Sequence, residues 1–180
     1  MNRTATSHTT PSAKSTTQAD WTPVHVTRSL LGWGVVAGPC YVLISVAQAV
    51  LREGFDASRH QWSLLANGDL GWVQVTNFLL TGLMLTAFAV GLGRALAGGV
   101  GSRWAPRLAG IFGLSMVVAG VFRADPALGF PVGTPEGPGA VTTSGLVHFA
   151  AAGVGFMAIA PADGGHRLPI DAVHRELKEG

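Results

Sequence analysis

The stretch that decides the fold is residues 30–51, LLGWGVVAGPCYVLISVAQAVL, 22 consecutive residues without a charged side chain. At 1.5 Å of helical rise per residue such a run crosses a hydrocarbon core of ~30 Å. Three further runs follow it. Trp72 to Leu92 is uncharged over 21 residues, with an aromatic at one end and Arg94 just past the other, the anchors that membrane interfaces favour. Leu108 to Phe122 is only 15 residues between Arg107 and Arg123, and snorkelling of both arginines, with Trp104 at headgroup level, extends it to a crossing. Val141 to Ala160 holds one ionisable residue, His148, and ends before Pro161. Small residues such as Gly145, Gly153 and Gly155 in this fourth run allow close helix approach.

Composition agrees with this reading. Only 12% of the 180 residues are charged, about half of the ~25% usual in soluble domains, and 25 are glycine, a residue more frequent in membrane helices than in soluble ones. This excludes a disordered chain and a disulfide-rich scaffold, and argues against an ordinary soluble enzyme. A soluble bundle would need polar outer faces that these runs lack. Ala47-Gln48-Ala49 has the form of a signal-peptide cleavage site, but the apolar run before it exceeds the ~7 to 15 residues of a cleavable segment. The expected fold is therefore all-α, an integral membrane helical bundle. Its four transmembrane helices, at about 30–51, 72–92, 108–122 and 141–160, lie in a membrane domain over 28–162. Residues 1–27 form a polar tail, with nine Ser or Thr among the first 20 and too little apolar surface to fold. Residues 163–180 form a short polar tail. The single Cys40 lies in an apolar run and reads as a packing residue.

Lys and Arg are sorted across these spans. Nine (Arg3, Lys14, Arg28, Arg94, Arg103, Arg107, Arg167, Arg175, Lys178) fall in the two tails and the middle loop, against three (Arg52, Arg59, Arg123) in the other two loops. The positive-inside rule then puts both termini in the cytoplasm and residues 52–71 and 123–140 outside the cell membrane. The net charge of +2 comes with no Lys/Arg cluster, so nucleic acid is not an expected partner. The lipid bilayer is.

The two outer loops hold the unusual residues. In the first, Asp56 or Ser58 is expected to cap a short helix ended by Asn67-Gly68, with His60 and Ser63 on one side. The second has four prolines and three glycines between Arg123 and Pro138, the composition of a rigid chain of turns lying over the bundle. His148 lies about 10 Å inside the fourth span, and an ionisable residue at that depth is a candidate functional group. Its candidate partner is Asp125, with Arg123 beside it and His60 reaching down from the first loop. His60, Asp125 and His148 are candidate ligands for a metal such as zinc with one position open to water. Alternatively His148 is a proton-transfer group, or His60 and Ser63 belong to a hydrolytic centre. The plainer alternative makes His148 interhelical glue and Arg123–Asp125 an ion pair closing a helix end. No HxxxH, HExxH or CxxC spacing is present.

Several motifs resemble a family of bacterial multi-pass membrane proteins known only as a domain of unknown function. They are Gly54-Phe55-Asp56, Arg59-His60, Ser63-Leu64-Leu65, Asn67-Gly68-Asp69-Leu70-Gly71, Arg103-Trp104-Ala105-Pro106-Arg107, Phe122-Arg123-Ala124-Asp125-Pro126, Gly129-Phe130-Pro131 and Gly133-Thr134-Pro135. The likeness runs from about Leu31 to Ala160 and implies an integral membrane protein, with no established reaction. Members of that family usually open the fourth span with His-Gly-x-x-His, where this chain has Ser144-Gly145-Leu146-Val147-His148. They also usually continue through about six spans, so the resemblance implies a chain shortened after Ala160, with a homo-oligomer or partner helices replacing the missing pair. The expected function is a membrane protein of unknown activity whose outer loops cover the bundle. The alternatives are a metal-dependent hydrolase acting on lipid and a small transporter or sensor subunit using His148.

Overall fold

In the computed structural model, residues 23–160 are described; the tail expectations for 1–22 and 161–180 lie outside the described residues. Four α-helices follow in order, α1 (Pro23–Leu51), α2 (Gly71–Ala95), α3 (Trp104–Val121) and α4 (Thr143–Ile159), with a single 3-10 turn at Trp62–Ala66. The described residues contain no strand beyond one isolated bridge, Ala127 with Phe130. The first three helices are long and apolar enough to cross a membrane, and α4 is a shorter apolar helix of 17 residues. The chain is an all-helical integral membrane protein, as its charge-free runs imply.

Helix ends follow local chemistry rather than the last charge. α1 begins at Pro23, seven residues before Leu30, so residues 23–27 are helical and not part of a tail. Proline suits a first helical position, because its missing N–H would have had no helical acceptor there. Arg28 lies inside this helix, since a charge that ends an apolar run does not end a helix. α2 overshoots its apolar run to Ala95, with Arg94 in its last turn, where a cation complements the helix dipole. α3 starts at Trp104, four residues before Leu108, which lengthens the short third run to 18 residues.

The helices pack in chain order, α1 on α2, α2 on α3 and α3 on α4, while α1 and α4 at the two ends of the row are not packed neighbours. Close approach of α2 and α3 depends on two glycines. A Cβ on Gly82 would lie 2.6 Å from the Gly113 carbonyl oxygen, and one on Gly113 would lie 2.8 Å from the Thr86 nitrogen. Where lipid removes the hydrophobic drive, such backbone contact and interhelical hydrogen bonds hold helices together. The bonds are supplied between α1 and α2 by a buried set of side chains. Gln48 Nε2 donates to Gln74 Oε1 (2.7 Å), Gln74 Nε2 to Ser45 Oγ (3.2 Å), and Asn77 Nδ2 to Ser45 Oγ (3.2 Å) and the Tyr41 carbonyl (3.1 Å). The outward faces are apolar, with Val35, Leu43, Val50, Leu83, Leu114 and Met157 all exposed, the surface that a bilayer would cover.

Candidate functional site: a capped cleft between the first and last helices

One end of the bundle is closed by residues 52–70 and 122–142, which knit into a single cap. Its small core is Leu64, Leu65, Ala124 and Phe130, with Phe55, Trp62 and Ala127 packed against it. Arg52, just past α1, ties the first loop down: its guanidinium donates to the carbonyls of Leu65 and Asn67 (2.6 Å each) and lies 4.9 Å from the Phe130 ring centroid. Burial draws Arg52 below the usual arginine value and the charge of Asp69 opposes this; an arginine so shifted stays cationic. Asn67 ends the 3-10 turn and donates from Nδ2 to the carbonyls of Leu64 (3.2 Å) and Ala124 (3.1 Å), joining both loops. Gly68 follows at φ +72°, where a Cβ would also lie 2.8 Å from Arg52 Nη2, so this turn has two reasons for glycine. Arg59 completes the joint with an ion pair to Glu136 (2.7 Å) on the exposed rim.

The short helix expected in the first loop is the 3-10 turn Trp62–Ala66 ending at Asn67, but neither Asp56 nor Ser58 caps it. Asp56 instead accepts from the backbone N–H (2.8 Å) and hydroxyl (2.6 Å) of Ser58, and the 3-10 turn starts after Gln61 with no side-chain cap. The Ser58 hydroxyl and N–H hold the Asp56 carboxyl below its ordinary range. His60 is buried within the cap, not aimed at the bundle. Its Nδ1 accepts from the Asp56 N–H (2.9 Å) and its Nε2 lies 2.9 Å from the Leu128 carbonyl, so both ring nitrogens are committed to loop backbone. Ser63 parts from it and lines the cleft below.

Asp125 and His148 are likewise placed apart in role. The Asp125 carboxylate accepts from the backbone N–H (2.8 Å) and hydroxyl (2.5 Å) of Thr142, the N-cap of α4, whose own side chain accepts from the Gly145 N–H (3.2 Å). Ser144 Oγ donates to the Arg123 carbonyl (2.9 Å), so the chain leaving α3 is clamped to the start of α4. Arg123 itself is exposed and makes no ion pair with Asp125. His148 Nδ1 lies 2.9 Å from the Ala119 carbonyl and 3.0 Å from the Phe122 carbonyl on the last turn of α3. Among the described residues no three His, Cys, Asp or Glu side chains converge as a metal-holding group, so the expected grouping of His60, Asp125 and His148 is not formed.

His148 does face an open space. Because α1 and α4 are not packed against each other, a cleft of about 590 Å³ remains between them, floored by α2 and α3 and roofed by Gln61, Trp62 and Ser63. Its walls are Gly38 and Tyr41 on α1 and His148, Phe149 and Ala152 on α4, with Phe78 and Met116 beneath. The rings of Trp62, Tyr41, Phe78, His148 and Phe149 form a chain with centroid separations of 5.5 to 6.0 Å. At its side Val42, Phe149 and Phe156 are at once lining and exposed, so the cleft opens laterally at membrane depth. Sequence reading singled out His148 and Ser63 but missed the cleft and the Ser45–Gln48–Gln74–Asn77 set. The latter had a signal: polar pairs spaced by three in two otherwise apolar runs.

A model of the family described as protein of unknown function (DUF998) matches residues 35–163, which include all of α2, α3, α4 and the cap. No curated protein and no solved structure matches the chain.

Proposed function

The chain belongs to the DUF998 family, and from that membership and the cleft's geometry we propose that it is a multi-pass cell-membrane protein that takes an apolar ligand from the bilayer. Both termini lie in the cytoplasm in this reading, and the cap formed by residues 52–70 and 122–142 faces outward, following the nine-to-three sorting of Lys and Arg. The observation that carries the proposal is the lateral opening of an apolar cleft of about 590 Å³, a volume within the range of small-molecule sites. A space bounded by Val42, Phe149 and Phe156 at membrane depth is in contact with lipid chains, and they are the most abundant apolar ligand there. The cap roofs the cleft and leaves the side open, so the supported route is from the membrane plane.

Gly38 provides the test, since a Cβ there would meet nothing within 4 Å and a larger side chain would grow into the cleft. Wild type and Gly38→Phe are purified from membranes in mild detergent, and retained lipid is extracted and counted by mass spectrometry. The expected result is a stoichiometric lipid on the wild type that is lost from Gly38→Phe, with unchanged elution volume and melting temperature. Equal lipid on both proteins would overturn the proposal. So would a wild-type dimer that Gly38→Phe converts to monomer, because a second copy would then be the occupant.

A further inference from the structure

His148 has one ring atom whose chemistry selects among lipids. Both neighbours of Nδ1, the carbonyls of Ala119 and Phe122, can only accept hydrogen bonds, so Nδ1 carries the proton. In this tautomer of the neutral ring the lone pair is at Nε2. No carboxylate reaches the ring among the described residues, and the rings of Phe78 and Phe149 pack edge-on against it at 6.0 and 5.5 Å. Nδ1 is used by α3, and no protein donor pairs with Nε2 among the described residues. Nε2 is the ring's remaining polar atom for a cleft that His148 lines. The other nearby hydroxyl of α3, Ser115 Oγ, already donates to the Phe112 carbonyl (2.7 Å).

We infer that the cleft's ligand is a single-chain membrane lipid with a neutral hydroxyl head, whose O–H donates to His148 Nε2 while its chain lies along Tyr41, Phe78, Met116 and Ala152. This rests on the reading of the cleft as a lipid site and names the class of lipid. Depth excludes charged heads: His148 is six residues from the start of α4's cap, about 9 Å along the helix, where an unpaired phosphate or carboxylate would be desolvated and would face a lone pair. A hydroxyl meets neither penalty. An ether of the same length fills the same space and offers no donor.

The test uses the full chain in detergent with ¹⁵N-labelled histidine, the His148 signals being assigned by their loss in His148→Asn. That variant keeps an amide donor for the Ala119 and Phe122 carbonyls and has no acceptor at the position of Nε2, the rest of the ring being lost with it. The probes are dodecanol, dodecyl methyl ether and dodecanoate. The expected result is an unliganded spectrum with the proton on Nδ1, a shift of Nε2 on adding dodecanol, and about tenfold tighter binding of dodecanol than of the ether, the worth of one hydrogen bond. His148→Asn should bind the two equally. Equal binding of alcohol and ether by the wild type, or tighter binding of dodecanoate, would overturn the inference and leave the cleft reading standing. If none of the three binds and Gly38→Phe behaves as the wild type, the cleft reading fails and the inference with it. Should His148→Asn not fold, the alcohol and ether comparison on the wild type decides alone.

Discussion

Replacing Asp125 by Ala should loosen the first turn of α4 and thereby the wall that carries His148. The carboxylate accepts two hydrogen bonds from Thr142, at 2.8 Å from its N–H and 2.5 Å from its hydroxyl, and sits at a helix N-terminus. Buried bonds to a charged acceptor are worth about 1.5 to 3 kcal/mol; these are reached by solvent, so about 1 kcal/mol each is appropriate, with about 0.5 more from the helix dipole. The expected loss is about 2 to 3 kcal/mol of local stability. Hydrogen exchange reads it directly: the amides of Thr142, Gly145 and Leu146 should exchange roughly 30- to 150-fold faster, with α2 unchanged. Asp125→Asn keeps one acceptor and should show about a third to half of the effect. A double-mutant cycle with Thr142→Val isolates the hydroxyl bond and should give a coupling of about 1 kcal/mol. Additivity within about 0.3 kcal/mol would refute the clamp, as would exchange that rises equally in every helix.

Three further outcomes follow from the same geometry. The Asp125 carboxylate occupies the place of a Cβ on Gly145, so Gly145→Ala should cost about 1 to 3 kcal/mol in the wild type and much less beside Asp125→Ala, as melting temperatures in detergent would show. Arg52→Met leaves the carbonyls of Leu65 and Asn67 without their donor and should cost about 2 to 4 kcal/mol; Arg52→Lys should recover only part, because an ammonium lacks the fork that reaches both. The Ser58 hydroxyl and N–H lower the Asp56 carboxyl from 3.8, so its contribution to loop order is complete above that value and is lost as pH falls through the depressed folded value. Protease nicking of residues 52–61 should accordingly rise on acidification below pH ~4, and Ser58→Ala should move that rise to higher pH.

Much of the fold is legible because charge is so costly in a bilayer that its absence marks the helices. The four charge-free runs correspond to α1 through α4. Their ends are less legible, since Arg28, Arg94 and Arg107 interrupt the apolar runs while the backbone hydrogen bonds continue through them. His148 stands out as the one ionisable group in its run, yet its partners are backbone carbonyls of α3, which every residue carries and no sequence singles out. The expected topology brings Asp125 near His148, but the stronger attraction is the helix N-terminus opened by Thr142. The cap illustrates the same limit. Its turn residues are visible as Pro and Gly, whereas Arg59 with Glu136, 77 positions apart, depends on how two loops are brought together.

Whether lipid occupies the space between α1 and α4 is asked of the bilayer itself by a photoreactive side chain placed there. Benzoylphenylalanine in place of Ala152, which lines the cleft from α4, is irradiated in native membranes and the products are resolved by mass. Occupancy by lipid predicts adducts of one protein chain with a lipid, absent when Gly38→Phe fills the cleft. Adducts joining two protein chains, or a yield of lipid adducts indifferent to Gly38→Phe, would contradict it.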